Sequence, residues 1–150
     1  QNEDARARGS LESVYRNLPY ESIEPLLPAI HQAVVEPAPS GIMFADGIRL
    51  AGLEILAKHR IAEGVPLCSM MIDPPRWGQD NRIKRCLNIL RMYGGSARSE
   101  LPRLRRLASE LEAQRWKPDK INALNIPDLI REIQDDTEPP ELRPLAATRR

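Results

Sequence analysis

Aromatic side chains and cysteine are scarce in this 150-residue chain, and each shortage narrows what it can be. Phe, Trp and Tyr make up 4% of the sequence, so aliphatic side chains must supply most of the packing. At 41% hydrophobic residues, the chain has enough apolar surface for one domain-sized core. The two cysteines, Cys68 and Cys86, each lie on a helical apolar pattern. We therefore expect buried free thiols and no disulfide framework.

Long apolar runs and an excess of one charge are also missing. No apolar run approaches the length of a bilayer span, and no charged-then-apolar signal segment begins the chain, so we expect no membrane span. The formal charge of +1 gives no global argument for a polyanionic or membrane partner. Because residue 1 is Gln, we expect a fragment or a processed form, with which a removed signal peptide is compatible. The sequence leaves the compartment and the oligomeric state open.

Local motifs for catalysis, metal binding and nucleotide binding are missing too. His59 and Glu63 are four residues apart, but no second histidine stands at ligand spacing, and Gly94-Gly95 lacks the lysine of a phosphate-binding loop. No Ser/His/Asp or Cys/His arrangement can be built from neighbouring residues. We expect no catalytic residue, no metal site and no cofactor. His59 is predicted to pack at a helix end with a turn hydrogen bond, and His31 to be structural and partly exposed.

Residues 83–108 form the most informative stretch, because they predict two apolar-faced helices joined by a turn at Gly94-Gly95. The apolar residues recur at helical spacing: Ile83, Cys86, Leu87, Ile89 and Leu90 in the first half, and Leu101, Leu104, Leu107, Ala108 and Leu111 in the second. Glycine most easily takes the left-handed conformation that ends a helix. Ser99 is a predicted N-cap, and Pro102 fits a first helical turn. The stretch therefore predicts a helix-turn-helix hairpin with one face to bury.

The same periodicity predicts helices elsewhere in the chain. They cover residues 10–18, 21–35, 48–61, 65–72 and 127–133. Between them, residues 36–47 predict a long loop that holds the apolar Ile42, Met43 and Phe44, and Gly64 is the predicted stop of the 48–61 helix. Residues 1–9 are expected to be flexible. Residues 136–150, rich in proline and charge, predict a disordered tail.

Parts of the 83–108 hairpin recur upstream. The segments GLEIL at 52–56 and CLNIL at 86–90 match in pattern and begin 34 positions apart. Three prolines, at positions 28, 66 and 102, also share their surroundings, with an aliphatic residue before each and apolar residues two, five and six positions after it. A partial fourth match starts at Ile126-Pro127, where Glu132 takes an otherwise apolar position. A polar outer face is expected of a terminal repeat, which has no neighbour to cover it.

This pattern resembles the HEAT-like and armadillo-type α-helical repeats on residues 48–72 and 83–108, with residues 11–34 as a poorer match. The resemblance implies an all-α fold, an α-α superhelix of about three stacked helical hairpins with a short C-terminal capping helix. This helical-repeat domain would occupy residues 10–135. The resemblance is specific for a fold and implies no activity.

One region departs from the even charge balance. Residues 76–106 carry nine basic residues against two acidic ones, a net charge of +7, while both flanks are acidic. We call these nine residues the basic belt: Arg76, Arg82, Lys84, Arg85, Arg91, Arg98, Arg103, Arg105 and Arg106. The belt predicts contact with phosphates, with an acidic protein partner, or with the chain's own acidic flanks. The acidic residues that could fold back are Asp135, Asp136, Glu138 and Glu141.

Three functions are compatible with these observations. The first is a non-catalytic protein-interaction or scaffold module of a larger protein, with an unidentified protein partner. The second is a nucleic-acid or phosphate-binding module, whose binding residues would be Arg82, Lys84, Arg85, Arg103, Arg105 and Arg106. The third is a helical appendage of an enzyme whose catalytic domain lies outside this chain.

Overall fold

The computed structural model describes residues 18–36, 42–72 and 79–145, and the chain is all-α within these ranges. The helices are α1 (Tyr20–Ile23), α2 (Leu27–Val35), α3 (Ile42–Lys58), α4 (Gly64–Met71), α5 (Gln79–Tyr93), α6 (Leu101–Ala113), α7 (Pro118–Ala123) and α8 (Ile126–Asp135). Two 3₁₀ segments, Glu24–Leu26 and Gly94–Glu100, precede α2 and α6. The described ranges contain no β-strand, and their one isolated β-bridge pairs Ile61 with Arg143. The predicted all-α class, with a short helix at its C-terminal end, is confirmed.

The chain divides into two compact units. Unit 1 consists of residues 1–64 and 143–150, and unit 2 consists of residues 65–142. The single repeat domain expected over residues 10–135 stays a prediction.

Unit 1 is built around α3, most of whose described side chains are buried. Gly52 allows α2 to approach closely, since a Cβ at this position would lie 2.7 Å from Cγ2 of Val34. Leu27 and Val34 are the buried residues of α2. Arg49 of α3 donates from Nε to the Val34 carbonyl at 2.7 Å, which satisfies an acceptor in the last turn of α2. The two helices are therefore joined by apolar contact and by one buried hydrogen bond.

Helix α3 begins earlier than the sequence predicted. It starts at Ile42, so Ile42, Met43 and Phe44 lie in its first turns and not in a loop. Gly47 is part of the helix, although glycine costs about 1 kcal/mol relative to alanine at an interior position. One glycine was too weak a breaker to end a helix that the tertiary packing of its remaining residues stabilises.

The carboxyl end of α3 also differs from the prediction. The helix ends at Lys58, and Gly64 begins α4 instead of stopping α3. Arg60 takes the left-handed conformation, with φ 59°. Its N–H bonds the Ala57 carbonyl at 3.0 Å, and the N–H of the buried Ile61 bonds the Leu56 carbonyl at 2.8 Å. This is a Schellman motif, which closes a helix by supplying donors to its last carbonyls.

In unit 2, the structure bears out both apolar faces predicted for residues 83–108. The buried residues are Ile83, Cys86, Leu87, Ile89, Leu90, Leu101, Leu104, Leu107 and Leu111, with Ala108 half-buried. Cys68 and Cys86 are buried and free, as predicted. Gly94 is left-handed, with φ 56°, which agrees with its predicted role in the turn.

The N-cap predicted for α6 differs from the one in the structure. The chain forms 3₁₀ turns from Gly94 to Glu100 with a kink at Ala97, and Glu100 occupies the N-cap position without a capping hydrogen bond from its side chain. Ser99 is therefore not an N-cap. Because the 3₁₀ segment runs directly into α6, no abrupt helix start is left for a side chain to cap.

Four helices carry the same pair of an aliphatic residue and a proline in the first turn: Leu27-Pro28, Val65-Pro66, Leu101-Pro102 and Ile126-Pro127. The aliphatic residue is buried in each pair. Proline suits a first turn because the missing N–H would have no intrahelical acceptor there. The apolar pattern around the prolines fails at Ala33, which is exposed, whereas Glu132 is exposed as predicted. Helix α7 was not predicted.

The described part of the predicted disordered tail makes defined contacts. In unit 2, the Gly95 N–H donates to a carboxylate oxygen of Asp136 at 2.7 Å, and Arg98 donates to the Asp136 carbonyl. In unit 1, Leu145 is buried. The predicted disorder therefore does not describe residues 136–145 in this structure. The predictions for residues 1–17 and 146–150 fall outside the described residues.

Candidate functional site

The six predicted binding residues do not form one cationic surface, and Arg82 is the clearest exception. It is 1% exposed and donates from Nε to the carbonyl of Met71, the last residue of α4, at 2.9 Å. Carbonyls at a helix carboxyl end lack intrahelical donors and favour a nearby positive charge. Arg82 therefore caps α4, and its burial removes it from the predicted phosphate-binding set.

Arg103 is also occupied within unit 2. Its Nη1 lies 2.6 Å from Oε2 of Glu110, and its Nη2 donates to the Ile72 carbonyl at 2.8 Å. The Arg103 side chain is 20% exposed, so little of its guanidinium is open to a ligand. Glu110 lies four residues after Arg106, but its carboxylate pairs with Arg103.

Two further belt residues contact residues of the acidic C-terminal flank. Arg91 pairs with Glu132 of α8 at 2.7 Å, and both side chains are about half exposed. Arg98 donates to the carbonyl of Asp136. Hydrogen bonds from the main-chain N–H groups of Gly95 and Glu138, and the nearby Arg98, lower the pKa of the Asp136 carboxyl. These contacts match the interpretation in which the belt meets the chain's own acidic flank.

The belt leaves three outward cations within the described residues: Lys84, Arg105 and Arg106. All three are exposed, and no hydrogen bond or ion pair of their side chains is found there. Arg85 is half-buried and has an interaction partner. Arg76 lies outside the described residues. The predicted set of six is therefore reduced to three free cations on two helices, α5 and α6.

A groove of about 390 Å³ lies in unit 2, between α6, α7 and α8. Its apolar lining consists of Leu104, Ala108, Ile121, Ile126, Pro127 and Ile130. Its polar lining consists of Arg105, Glu112, Asn122, Asn125 and Asp128. On α6, Leu104, Ala108 and Glu112 are spaced by four residues, which places them along one helix face. The groove thus combines apolar side chains with charges of both signs and two side-chain amides.

Two left-handed residues fold the three helices around this groove. After α6, Arg115 has φ 64°, and the N–H of Trp116 bonds the Leu111 carbonyl at 3.0 Å. After α7, Asn125 has φ 53° and immediately precedes α8. Asparagine tolerates this conformation well, whereas arginine adopts it at some cost. The chain therefore reverses twice within a few residues, and the two reversals bring α7 and α8 back beside α6.

The charges of the groove favour a mixed ligand over a polyanion. Arg105 supplies one positive charge, while Glu112 and Asp128 supply two negative ones. Arg131 pairs with Asp128. Asn122 and Asn125 can each donate and accept hydrogen bonds, as a peptide backbone requires. A segment with an apolar side chain and free main-chain groups fits this chemistry.

Other reactive side chains do not assemble into a site within the described residues. No group of three or more His, Cys, Asp or Glu side chains there is arranged to hold a metal ion. Burial raises the pKa of the Cys68 thiol well above its usual value, which disfavours the thiolate. Among the described helices, none combines the length and apolarity that crossing a bilayer requires.

His59 has the packing role that we predicted. It is 7% exposed, and its ring centroid lies 5.8 Å from that of Tyr20. Burial lowers the pKa of His59, and the nearby Lys58 and Arg143 act in the same direction. The predicted turn hydrogen bond is not seen at Nε2, for which no partner is found within the described residues. His59 and Glu63 do not share a helix face, because α3 ends before either residue.

No protein-family model, curated protein or solved structure matches the chain. The HEAT-like resemblance therefore stays a prediction. Sequence reasoning singled out Arg105 among the groove residues, but it missed α7 and with it Ile121, Asn122 and Asn125. The signal that could have found α7 is Pro118, its first residue, because proline is common in the first turn of a helix.

Proposed function

We propose that this chain is a non-catalytic protein-interaction module of a larger protein, and that the groove between α6, α7 and α8 receives a short peptide segment of the partner. The observation that carries the proposal is the lining of the groove, which combines an apolar floor with Arg105, two carboxylates and two amides. Ligand sites in proteins are mostly apolar with a few polar groups that fix orientation. A volume of about 390 Å³ suits one or two side chains with their backbone.

The same lining argues against nucleic acid as the ligand of the groove. A phosphate backbone would meet Glu112 and Asp128 against a single arginine. Within the described residues, the belt adds only Lys84 and Arg106 as further free cations. Nucleic-acid affinity grows with the number of phosphates neutralised, and so few cations support weak binding at most. A role as a helical appendage of an enzyme is compatible with the proposal, because the appendage would then bind the partner or substrate protein.

A peptide selection with a blocked groove tests the proposal. Random peptides displayed on phage would be selected on the parent chain and then titrated against two variants of α6. Ala108→Trp fills the groove, whereas Ser109→Trp places the same side chain at the neighbouring, exposed position. We expect selected peptides to bind the parent and Ser109→Trp alike, and to bind Ala108→Trp at least about tenfold more weakly.

Circular dichroism must first show that both tryptophan variants keep the helix content of the parent. If the selection yields no peptide, or if the selected peptides bind Ala108→Trp as tightly as the parent, the groove is not the interaction site.

A further inference from the structure

Unit 1 holds a short segment of the chain, Arg143–Leu145, against the loop formed by residues 60–63, and Arg143 forms an isolated β-bridge with Ile61. The N–H of Arg143 donates to the Arg60 carbonyl at 2.7 Å, and the N–H of Ala62 donates to the Arg143 carbonyl at 2.8 Å. The N–H of Leu145 donates to both carboxylate oxygens of Glu63, at 3.0 and 2.8 Å. The segment is thus bound through its main chain, as a peptide is when it adds to the edge of a sheet.

Each side chain of the segment has an environment that suits its chemistry. The Arg143 guanidinium lies over the ring of Tyr20, 3.7 Å from its centroid, where a cation is attracted to the ring face. The Leu145 side chain is buried, at 6% exposure. Pro144 lies between them and is exposed. The N–H groups of Arg143 and Leu145 both bond the loop. Pro144, which has no N–H, lies between them, at a position where no donor to the loop is needed.

Part of the receiving surface is held by contacts that do not involve the segment. The Schellman motif at Arg60 and Ile61 sets the course of the loop, and Ile61 is fully buried. Tyr20 is supported on α1 and lies beside the buried His59. We call Tyr20 and residues 60–63 the clamp. The clamp has its own structural basis, and it shares no residue with the groove of unit 2.

We propose that the clamp is a recognition site for Arg-Pro-aliphatic segments, that Arg143–Leu145 fills it within the chain, and that it accepts the same motif from a partner protein. Each residue of the motif has a role in this arrangement. The arginine contacts the ring of Tyr20, the proline occupies a position that needs no N–H, and the leucine side chain is buried. The internal segment competes with a partner because its attachment to the same chain gives it a high effective concentration. A partner therefore binds when the internal segment is weakened or outcompeted.

The test uses the full chain and a fluorescein-labelled peptide of sequence ELRPLAA, which corresponds to residues 141–147. Leu145→Asp weakens the internal segment, because it would bury a charge, while it leaves the clamp residues unchanged. By fluorescence anisotropy, we expect the Leu145→Asp chain to bind the peptide at least about tenfold more tightly than the parent does. A peptide with Asp in place of its leucine should not bind either chain.

A second substitution distinguishes recognition at the clamp from non-specific peptide binding. Adding Glu63→Ala to the Leu145→Asp chain removes the acceptor of the leucine N–H, and the peptide affinity should fall by at least about tenfold. Adding Glu54→Ala, a carboxylate of α3 outside the clamp, should leave the affinity unchanged. If circular dichroism shows that Leu145→Asp is unfolded, Arg143→Ala takes its place, since it removes the contact with Tyr20 and leaves the buried leucine unchanged.

The proposal is overturned if a folded, segment-weakened chain binds no ELRPLAA peptide. It is equally overturned if the peptide binds but Glu63→Ala leaves its affinity unchanged, because the contact then does not involve the clamp.

Discussion

Arg82 donates its Nε hydrogen to the main-chain carbonyl of Met71, and the arginine is buried where a surface cation was expected. The same relationship occurs in the other unit, where the buried Arg49 donates to the carbonyl of Val34. In both cases an arginine from the following helix satisfies a carbonyl at the end of a preceding helix. Some arginine side chains of this protein therefore cap the carboxyl ends of helices, whereas others face solvent.

Removing the Arg82 side chain should destabilise the protein. Arg82→Ala leaves a buried carbonyl without its donor, which costs about 1–3 kcal/mol, and it removes packing as well. Lys84→Ala on the same helix is the control, because an exposed substitution of this kind stays within about 0.5 kcal/mol. Urea denaturation followed by circular dichroism gives both values. Equal stability of the two variants would contradict the capping role.

Two glycines of α3 should respond to alanine in opposite directions. At Gly52, the added Cβ would meet the stiff, buried side chain of Val34 at 2.7 Å. We expect Gly52→Ala to be destabilising, because overpacking costs about 1–3 kcal/mol against the gain of about 1 kcal/mol in helix propensity. At Gly47, nothing lies within 4 Å of the added atom. Gly47→Ala should therefore stabilise the helix by about 0.5–1 kcal/mol.

Thermal or urea melts of the two alanine variants provide the measurement. Gly52→Ala should cost less stability in a Val34→Ala background than in the parent, because the smaller side chain at position 34 leaves room for the added Cβ. The absence of any difference between the two glycine positions would mean that α2 and α3 are not packed as closely as described.

Asp136 should make stability depend on pH in the acidic range. Its pKa is lowered from the usual value of 3.8, chiefly by the main-chain N–H groups of Gly95 and Glu138. A carboxyl whose pKa is lower in the folded state stabilises the fold above its unfolded pKa. That contribution is lost as the pH falls through the folded pKa. The difference in unfolding free energy between the parent and Asp136→Asn should therefore shrink on acidification.

Denaturation of the parent and Asp136→Asn, at neutral pH and at several acidic values, checks this direction. Asp135→Asn, at the exposed neighbouring position, is the matched control and should not reproduce the pH-dependent difference. A parent and an Asp136→Asn chain that differ equally at every pH would rule out the proposed hydrogen bonds.

The free cations of the belt should support little binding to nucleic acid. We expect no binding of a mixed-sequence oligonucleotide, single- or double-stranded, tighter than about 10⁻⁴ M at physiological salt. A labelled oligonucleotide titrated at low and physiological salt makes the measurement. Tight binding that weakens steeply with salt, and that Arg105→Glu abolishes, would restore the phosphate-binding hypothesis.

Helical periodicity predicted the two apolar faces of α5 and α6, because the positions of apolar residues are a property of the local sequence. The same was true of proline in the first turn, as at Pro102. The end of α3 could not be predicted in this way. Arginine has no intrinsic preference for the left-handed conformation of Arg60, which is stabilised by the burial of Ile61 and by the main-chain bonds that follow.

The candidate sites depended on contacts that sequence spacing does not reveal. Arg82 and Lys84 are two residues apart and similar in charge, yet one is buried and the other exposed. The difference comes from the carbonyl of Met71, which belongs to another helix. Glu63 and Leu145 are 82 positions apart, so no local pattern predicts their hydrogen bond.

The most direct test of the interaction proposal is to locate a selected peptide on the folded chain. Amide chemical shifts of the ¹⁵N-labelled protein would be recorded by NMR while the peptide is added. We predict that the largest changes map to the groove, at Leu104, Ala108, Ile121 and Ile130, and that Ala108→Trp suppresses them. Changes concentrated on other residues of unit 2, or undiminished in Ala108→Trp, would contradict the assignment of the groove as the binding site.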